Sequence, residues 1–348
     1  MKFRSINWIK VLKIAVGCTI AILVADFIGL KYSAAAGTIT LLSIGDTKRD
    51  TLRVATKRLS GFFIAVGLAY ILFHLIGYRT VTFGVFLFFF VTICYGLGLQ
   101  AGMSTCAVLT THFLNQQAMT IPIILNEAMI LIIGVSSGVI LNLYMPDNTQ
   151  MIRADMEQIE EDIRKIMEQI SERLSGEIKE VQMNYRYAPE RCQVKQKESL
   201  TFVNTKKHIE EATKRAYANM NNNLISDTRY YMQYIDMRKH QVYKLEQIYA
   251  HACYLTYIPE QAMVLAQYTN RISKTFHEYN NARVLLDELY KIRLAFKETK
   301  MPQTREEFEN RAILYQVLQG IEEFLLLKVE FVEHLTKKQI QTFWQCKK

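Results

Sequence analysis

Two regimes of hydrophobic patterning divide the chain. Up to Met145 the apolar residues come in long blocks, and four of them, Val11 to Leu30, Leu59 to Gly77, Val81 to Leu99 and Ile121 to Met145, are hydrophobic enough to predict membrane-spanning helices. Two shorter segments, Tyr32 to Ile44 and Ala101 to Leu114, are rich in Ala, Gly, Ser and Thr. On pattern alone each could be a span, a re-entrant segment or a buried element.

Past Pro146 the blocks give way to amphipathic periodicity. Ile152, Met156, Ile159, Ile163, Ile166, Ile170 and Leu174 recur at spacings of four and three, the seam of a bundle or coiled-coil helix that the pattern ends near Pro189. Further helices are predicted over Ser199 to Met220, Ser226 to Tyr257 and Glu260 to Thr299, divided by Asn221 to Asn223 and by Pro259. Thr304 and Glu307 form a capping box that opens a last helix, with a seam of Phe308, Ala312, Tyr315, Leu318, Ile321, Leu325, Val329 and Val332. No strand alternation appears. The expected fold is all-α: a transmembrane domain over residues 1–146 and a cytosolic helical bundle over residues 147–348.

Charge decides how many segments cross. Residues 1–146 hold four acidic residues, Asp26, Asp46, Asp50 and Glu127, against eleven Lys and Arg; the remainder holds 31 basic and 29 acidic residues. The net charge of +9 therefore speaks to topology and not to nucleic acid, for which no motif is present. Lys2, Arg4, Lys10 and Lys13 precede the first block, and Lys48, Arg49, Arg53, Lys57 and Arg58 lie between the first two strong ones. Both groups share the cytoplasmic side only if Tyr32 to Ile44 crosses, leaving Lys31 and Arg79 outside. Parity and unpaired cysteines then favour a crossing at Ala101 to Leu114, giving six spans with both termini in the cytosol. A secretory signal at the N-terminus is the less favoured reading, since further strong segments follow it.

Six spans divide into two halves of three, which must be inverted relative to one another. The weak helix is the middle one of each half, and paired weak helices are the best sequence pointer to a transporter path. Candidate path residues are Ser33, Thr38, Thr40 and Ser43 in the second helix, and Ser104, Thr105, Thr110 and Thr111 in the fifth. Close backbone packing explains the same small residues equally well, and Gly134 and Gly138 form a GxxxG of the packing type. Ionisable residues in spans are functional candidates, here Asp26, His74, His112 and Glu127, which fall toward the outer face and suggest a proton-responsive rim. Hydration near an interface is the simpler account of each one. Lys48, Arg49, Arg53, Lys57 and Arg58 form an inner basic mouth that serves orientation and lipid contact, and could also gather organic anions.

Beyond the spans no glycine-rich phosphate loop, paired Ser and His, or metal-ligand spacing is found, which argues against an enzyme and implies no cofactor. The tyrosines between Tyr230 and Tyr257 are expected as core and rim residues before they are expected as a ligand platform.

Ala34-Ala35-Ala36-Gly37-Thr38-Ile39-Thr40, followed by Asp46-Thr47-Lys48-Arg49-Asp50 and Thr56-Lys57-Arg58-Leu59-Ser60-Gly61, resembles the bacterial aromatic acid exporter family, of the half-length Gram-positive type within the fusaric-acid-resistance-like superfamily. The resemblance implies export of aromatic carboxylates. Larger members carry two membrane halves, so it also implies a homo-oligomer. The leading expectation is an organic-anion exporter working by alternating access, with proton coupling left open; the alternatives are an anion channel of related layout and a non-transporting scaffold whose bundle recruits a partner.

Overall fold

Residues 8–143, 148–176, 195–223 and 228–344 are described by a computed structural model, and all of their regular structure is helical. The chain divides into two compact units, one of Met1–Pro146 with Asn221–Leu224, the other of Asp147–Met220 with Ile225–Lys348.

Six helices build the first unit: α1 Trp8–Phe27, α2 Ala34–Ser43, α3 Lys48–Ile76, α4 Thr80–Gly96, α5 Gln100–Gln116 and α6 Ile121–Leu143. They fall on the six segments expected from the pattern, with α2 the shortest, except that α3 begins at Lys48 and takes in the basic stretch expected as a loop before Leu59. By length and composition, α3 and α6 are long and apolar enough to cross a membrane. The packing pairs carry an internal symmetry. Helix α1 packs on α2 and α6, as α4 packs on α5 and α3; α2 packs on α6, as α5 packs on α3; and α3 meets α6 directly. Exchanging α1 with α4, α2 with α5 and α3 with α6 returns the same set, a minor α2–α3 contact excepted, the arrangement expected of two three-helix repeats.

Small residues make the central contacts. A Cβ on Gly134 of α6 would stand 2.7 Å from Ile39 Cβ and 2.8 Å from the Ala36 carbonyl oxygen, and one on Gly138 would stand 2.6 Å from Ser43 Cβ. The GxxxG is thus the seat of α2, and the interhelical contact is its explanation. On the other side of the unit, a Cβ on Gly102 of α5 would meet the Lys57 carbonyl oxygen of α3 at 2.9 Å.

The second unit contains α7 Thr149–Ser175, α8 Lys195–Asn222, α9 Arg229–Ala252, α10 Glu260–Thr275, α11 Arg283–Lys297, α12 Arg305–Glu333 and the short α13 Lys337–Gln339, followed by a π-turn at Ile340–Trp344. Every residue of the expected α7 seam is buried, and the helix packs on α9 and α10 of its own unit. The seam is therefore consumed within the monomer.

Three helix expectations need correction. Helix α7 stops at Ser175, where Gly176 takes a left-handed conformation (φ 76°) that favours glycine, and Pro189 lies outside the described residues, as does Ser226. The segment expected as one helix over Glu260 to Thr299 is two: Asn280 and Asn281 side chains accept from the Ala282 and Arg283 N–H groups, and Ala282 itself is left-handed (φ 59°). In α12, Phe308 and Tyr315 are exposed, and the buried face runs through Leu314, Val317, Ile321, Phe324, Lys328 and Phe331. Thr304 caps that helix as expected by accepting from the Glu307 N–H, but Glu307 reaches back to the N–H of Gln303.

Candidate functional site

The eight hydroxyl residues of α2 and α5 do not share one face. Thr40, Ser43, Thr105 and Thr110 are buried, Ser33 and Thr111 are half-buried, and Thr38 and Ser104 are exposed. Residues two apart on a helix point about 200° apart, which is why Thr38 and Thr40 separate. Thr40 Oγ1 donates to the Ala36 carbonyl at 2.9 Å and to the Gly134 carbonyl at 3.1 Å, binding α2 to α6. Thr110 and Thr111 Oγ1 donate within α5, to Cys106 and Val108 carbonyls. Thr105 Oγ1 is buried and has no partner among the described residues.

The five basic residues also separate. Arg49 and Arg53 are exposed, Lys48 and Lys57 are half-buried, and Arg58 is 3% exposed. Arg53 pairs with Asp50 at 3.5 Å, and Asp50 in turn supports the start of α3, where Thr47 Oγ1 accepts from the Asp50 N–H. Arg58 instead turns inward. Its Nη1 donates to the Ile39 carbonyl at 3.0 Å and to Ser43 Oγ at 2.5 Å, its Nη2 to the Leu42 carbonyl at 2.7 Å, and its Nε to the Ala101 carbonyl at 3.4 Å. The guanidinium thereby ties the end of α2 to the start of α5. Among the described residues no carboxylate lies within ion-pair distance of it; the α2 carbonyls, with the negative end of that helix's dipole, hold it.

At the other end of α2 and α5 the charge is reversed. Glu127 of α6 is fully buried, and its Oε2 lies 2.6 Å from Nδ1 of His112 on α5. Asn126 Nδ2 donates to Glu127 Oε1 at 3.0 Å and to the Lys31 carbonyl at 3.1 Å, while Asn126 Oδ1 accepts from the Lys31 N–H at 2.9 Å. The next residue, Tyr32, is left-handed (φ 62°) and stacks its ring on His112, with centroids 4.1 Å apart. Asn126 and Glu127 thus tie the end of α5 to the start of α2, the counterpart of Arg58 under the repeat exchange. Asp26 and His74 do not join this cluster: both are exposed, and His74 packs on Tyr70.

Sequence reasoning missed three residues here. Asn126 and Tyr32 are parts of the Glu127 cluster, and Asn142, buried in α6, donates to the Gly45 and Thr47 carbonyls at 3.0 and 3.2 Å and to Thr51 Oγ1. The signal for both asparagines was present, since a carboxamide inside an apolar helix must find partners.

A helical unit with apolar faces outward and buried charged clusters at the two ends of α2 has features found in membrane transport proteins. The comparisons agree. Residues 7–145 match the model described as "Aromatic acid exporter family member 1", and residues 149–329 match the "Putative aromatic acid exporter C-terminal domain". The chain belongs to the aromatic acid exporter family. It is 28% identical to the "Uncharacterized protein YqjA" of Bacillus subtilis (strain 168) over 323 residues, covering 92% of this chain and 95% of that one. A crystal structure titled as that of a "putative membrane protein" from Clostridium difficile 630 is 26% identical, covers 53% of this chain and 99% of its own, and superposes with a TM-score of 0.45.

Proposed function

We propose that this protein is a proton-coupled exporter of organic anions, with aromatic carboxylates as the substrate class. Its first unit lies in the cell membrane as six spans, both termini face the cytosol, and the working form is a homo-oligomer, as the two-halved architecture of larger family members implies. The observation that carries the reading is the buried His112–Glu127 pair. An acid–base pair 2.6 Å apart, its carboxyl fully buried in an apolar helical unit, is linked through Asn126 to the Lys31 backbone and through ring stacking to Tyr32, so a proton exchanged there would be felt at the start of α2. Such a pair is costly in a membrane unless it is used. Arg49 and Arg53, exposed near the start of α3, and the half-buried Lys48 and Lys57 supply the anion-gathering field on the cytosolic side.

Efflux of labelled aromatic acids from sealed vesicles, with and without an imposed pH gradient, tests this reading. Saturable efflux accelerated by an acidic exterior is expected. Currents that grow linearly with voltage and ignore the gradient would mark a channel, and an absence of flux for every acid tried would mark a scaffold.

A further inference from the structure

We propose that Arg58 is the residue that binds the carboxylate of the substrate, with the hydroxyl of Thr105 as a second donor. This rests on the exporter reading above and gives it a substrate site.

A guanidinium that is 3% exposed is expensive to bury, and a carboxylate beside it would balance its charge. Arg58 has none among the described residues. Its acceptors are three peptide carbonyls and one hydroxyl, at Ile39, Leu42, Ala101 and Ser43. All four are neutral dipoles, and a carboxylate presented to the planar fork makes shorter, charge-assisted and bidentate bonds that displace them.

Thr105 supplies an independent observation. It is 2% exposed and its Oγ1 has no hydrogen-bond partner among the described residues. A helical threonine ordinarily bonds to the carbonyl four residues back, but here that carbonyl, Ala101, accepts from Arg58 Nε. Thr105 thus stands one turn along α5 on the same face as a carbonyl that Arg58 already holds, with its own donor uncommitted.

Binding at this point has a mechanical result. The carbonyls of Ile39 and Leu42 belong to the closing turns of α2, and that of Ala101 to the first turn of α5. A carboxylate that takes over the fork releases the two helix ends from one another, so occupancy and helix movement are linked. Arg58 also has a quasi-symmetric counterpart in the carboxyl-bearing Glu127 cluster, which lies at the opposite end of α2.

The test uses full-length protein and benzoate as probe, with calorimetric binding in detergent and labelled efflux from proteoliposomes measured in parallel. Arg58→Lys, which keeps the charge and loses the fork, is expected to raise the KM for benzoate at least about tenfold. Thr105→Val should raise it about threefold to tenfold. Ser43→Ala removes a competitor for Nη1 and should lower it about twofold to fivefold, a shift that a merely structural role for Arg58 does not produce. Wild-type KM in Arg58→Lys and Thr105→Val, with wild-type transport intact, overturns the proposal and leaves the exporter reading standing. If Arg58→Lys yields no folded protein, opposite shifts in Ser43→Ala and Thr105→Val support the proposal and unchanged values in both overturn it. Wild-type protein that neither binds nor exports benzoate, or any other carboxylate tried, removes the exporter reading and this site together.

Discussion

Arg58 on α3 and Glu127 on α6 occupy matching places in the two halves of the hydrophobic unit. Arg58 joins the end of α2 to the start of α5; Glu127, with its neighbour Asn126, joins the end of α5 to the start of α2. The positions correspond while the charges are opposite, so the two repeats provide one framework with two different chemistries. The proposed anion-binding and proton-exchanging groups thereby stand at opposite ends of α2.

The Glu127 cluster gives the first expectation. Glu127→Gln keeps an acceptor for Asn126 but removes the proton-exchanging group, so acceleration of efflux by an acidic exterior should disappear while labelled-for-unlabelled benzoate exchange stays within about threefold. His112→Gln alone leaves a buried carboxylate unpaired and should cost up to about 3–5 kcal/mol, more than the His112→Gln/Glu127→Gln double variant, in a double-mutant cycle read by thermal unfolding. Retained acceleration by the gradient in Glu127→Gln would remove the pair from the coupling mechanism.

The α2–α6 contact gives the second. An added Cβ at Gly134 meets Ile39 and the Ala36 backbone below 3 Å, whereas one at Gly84 of α4 meets nothing within 4 Å. Gly134→Ala should therefore destabilise the unit by about 1–3 kcal/mol, and Gly84→Ala should be neutral or slightly stabilising. Equal melting temperatures for the two variants would show that the close approach carries no weight.

Lys328 gives the third. Burial first, and then the Arg238 guanidinium, push its ammonium well below the ordinary lysine range, with the Glu160 and Glu278 carboxylates pulling the other way. Its Nζ donates to the Glu278 carbonyl at 2.6 Å and lies 5.0–5.4 Å from the rings of Phe331, Tyr234 and Trp344. A lysine with a depressed folded pKa binds its proton more readily when unfolded. Stability should thus rise with pH between that depressed value and the ordinary ~10.4, by about 1.4 kcal/mol for each unit of depression. Fluorescence of Trp344 during denaturation should show this alkaline rise in the wild type and lose it in Lys328→Met.

Topology gives the fourth. In the six-span arrangement, single cysteines replacing Lys31 and Arg79 should react with an impermeant thiol reagent added to intact cells, and one replacing Arg53 should react only after permeabilisation. Labelling at Arg53 from outside would require the first two segments to be reassigned.

Most helices were legible because each is written in a local signal: apolar blocks for α1, α3, α4 and α6, a four-three seam for α7, and a threonine cap for α12; α2 and α5 were read through charge and parity. What could not be read was tertiary or depended on backbone conformation. The break between α10 and α11 rests on asparagine caps and a left-handed Ala282, for which no strong residue signal exists. The exposed start of α12 reflects which helices lie nearby, which periodicity does not report. In the site, Arg58 looked like its basic neighbours because side-chain direction, and not residue type, separates it from Arg53. Helical phase alone could have parted Thr38 from Thr40. The pairing of His112 with Glu127 needed two helices to be placed side by side, although both residues were visible as charges in apolar segments.

The brevity of α2 has an electrical consequence. Its ten residues rise about 15 Å, roughly half of the ~30 Å hydrocarbon thickness of a bilayer. In the proposed topology the buried Arg58 and Glu127 clusters cap the two ends of this short element, and water admitted to both ends during transport would make the membrane voltage fall across the short stretch between them. An anion moving past α2 would traverse the whole potential, about 2.3 kcal/mol per charge per 100 mV, in half the distance. Along that route the protein is a thinner insulator than the lipid around it.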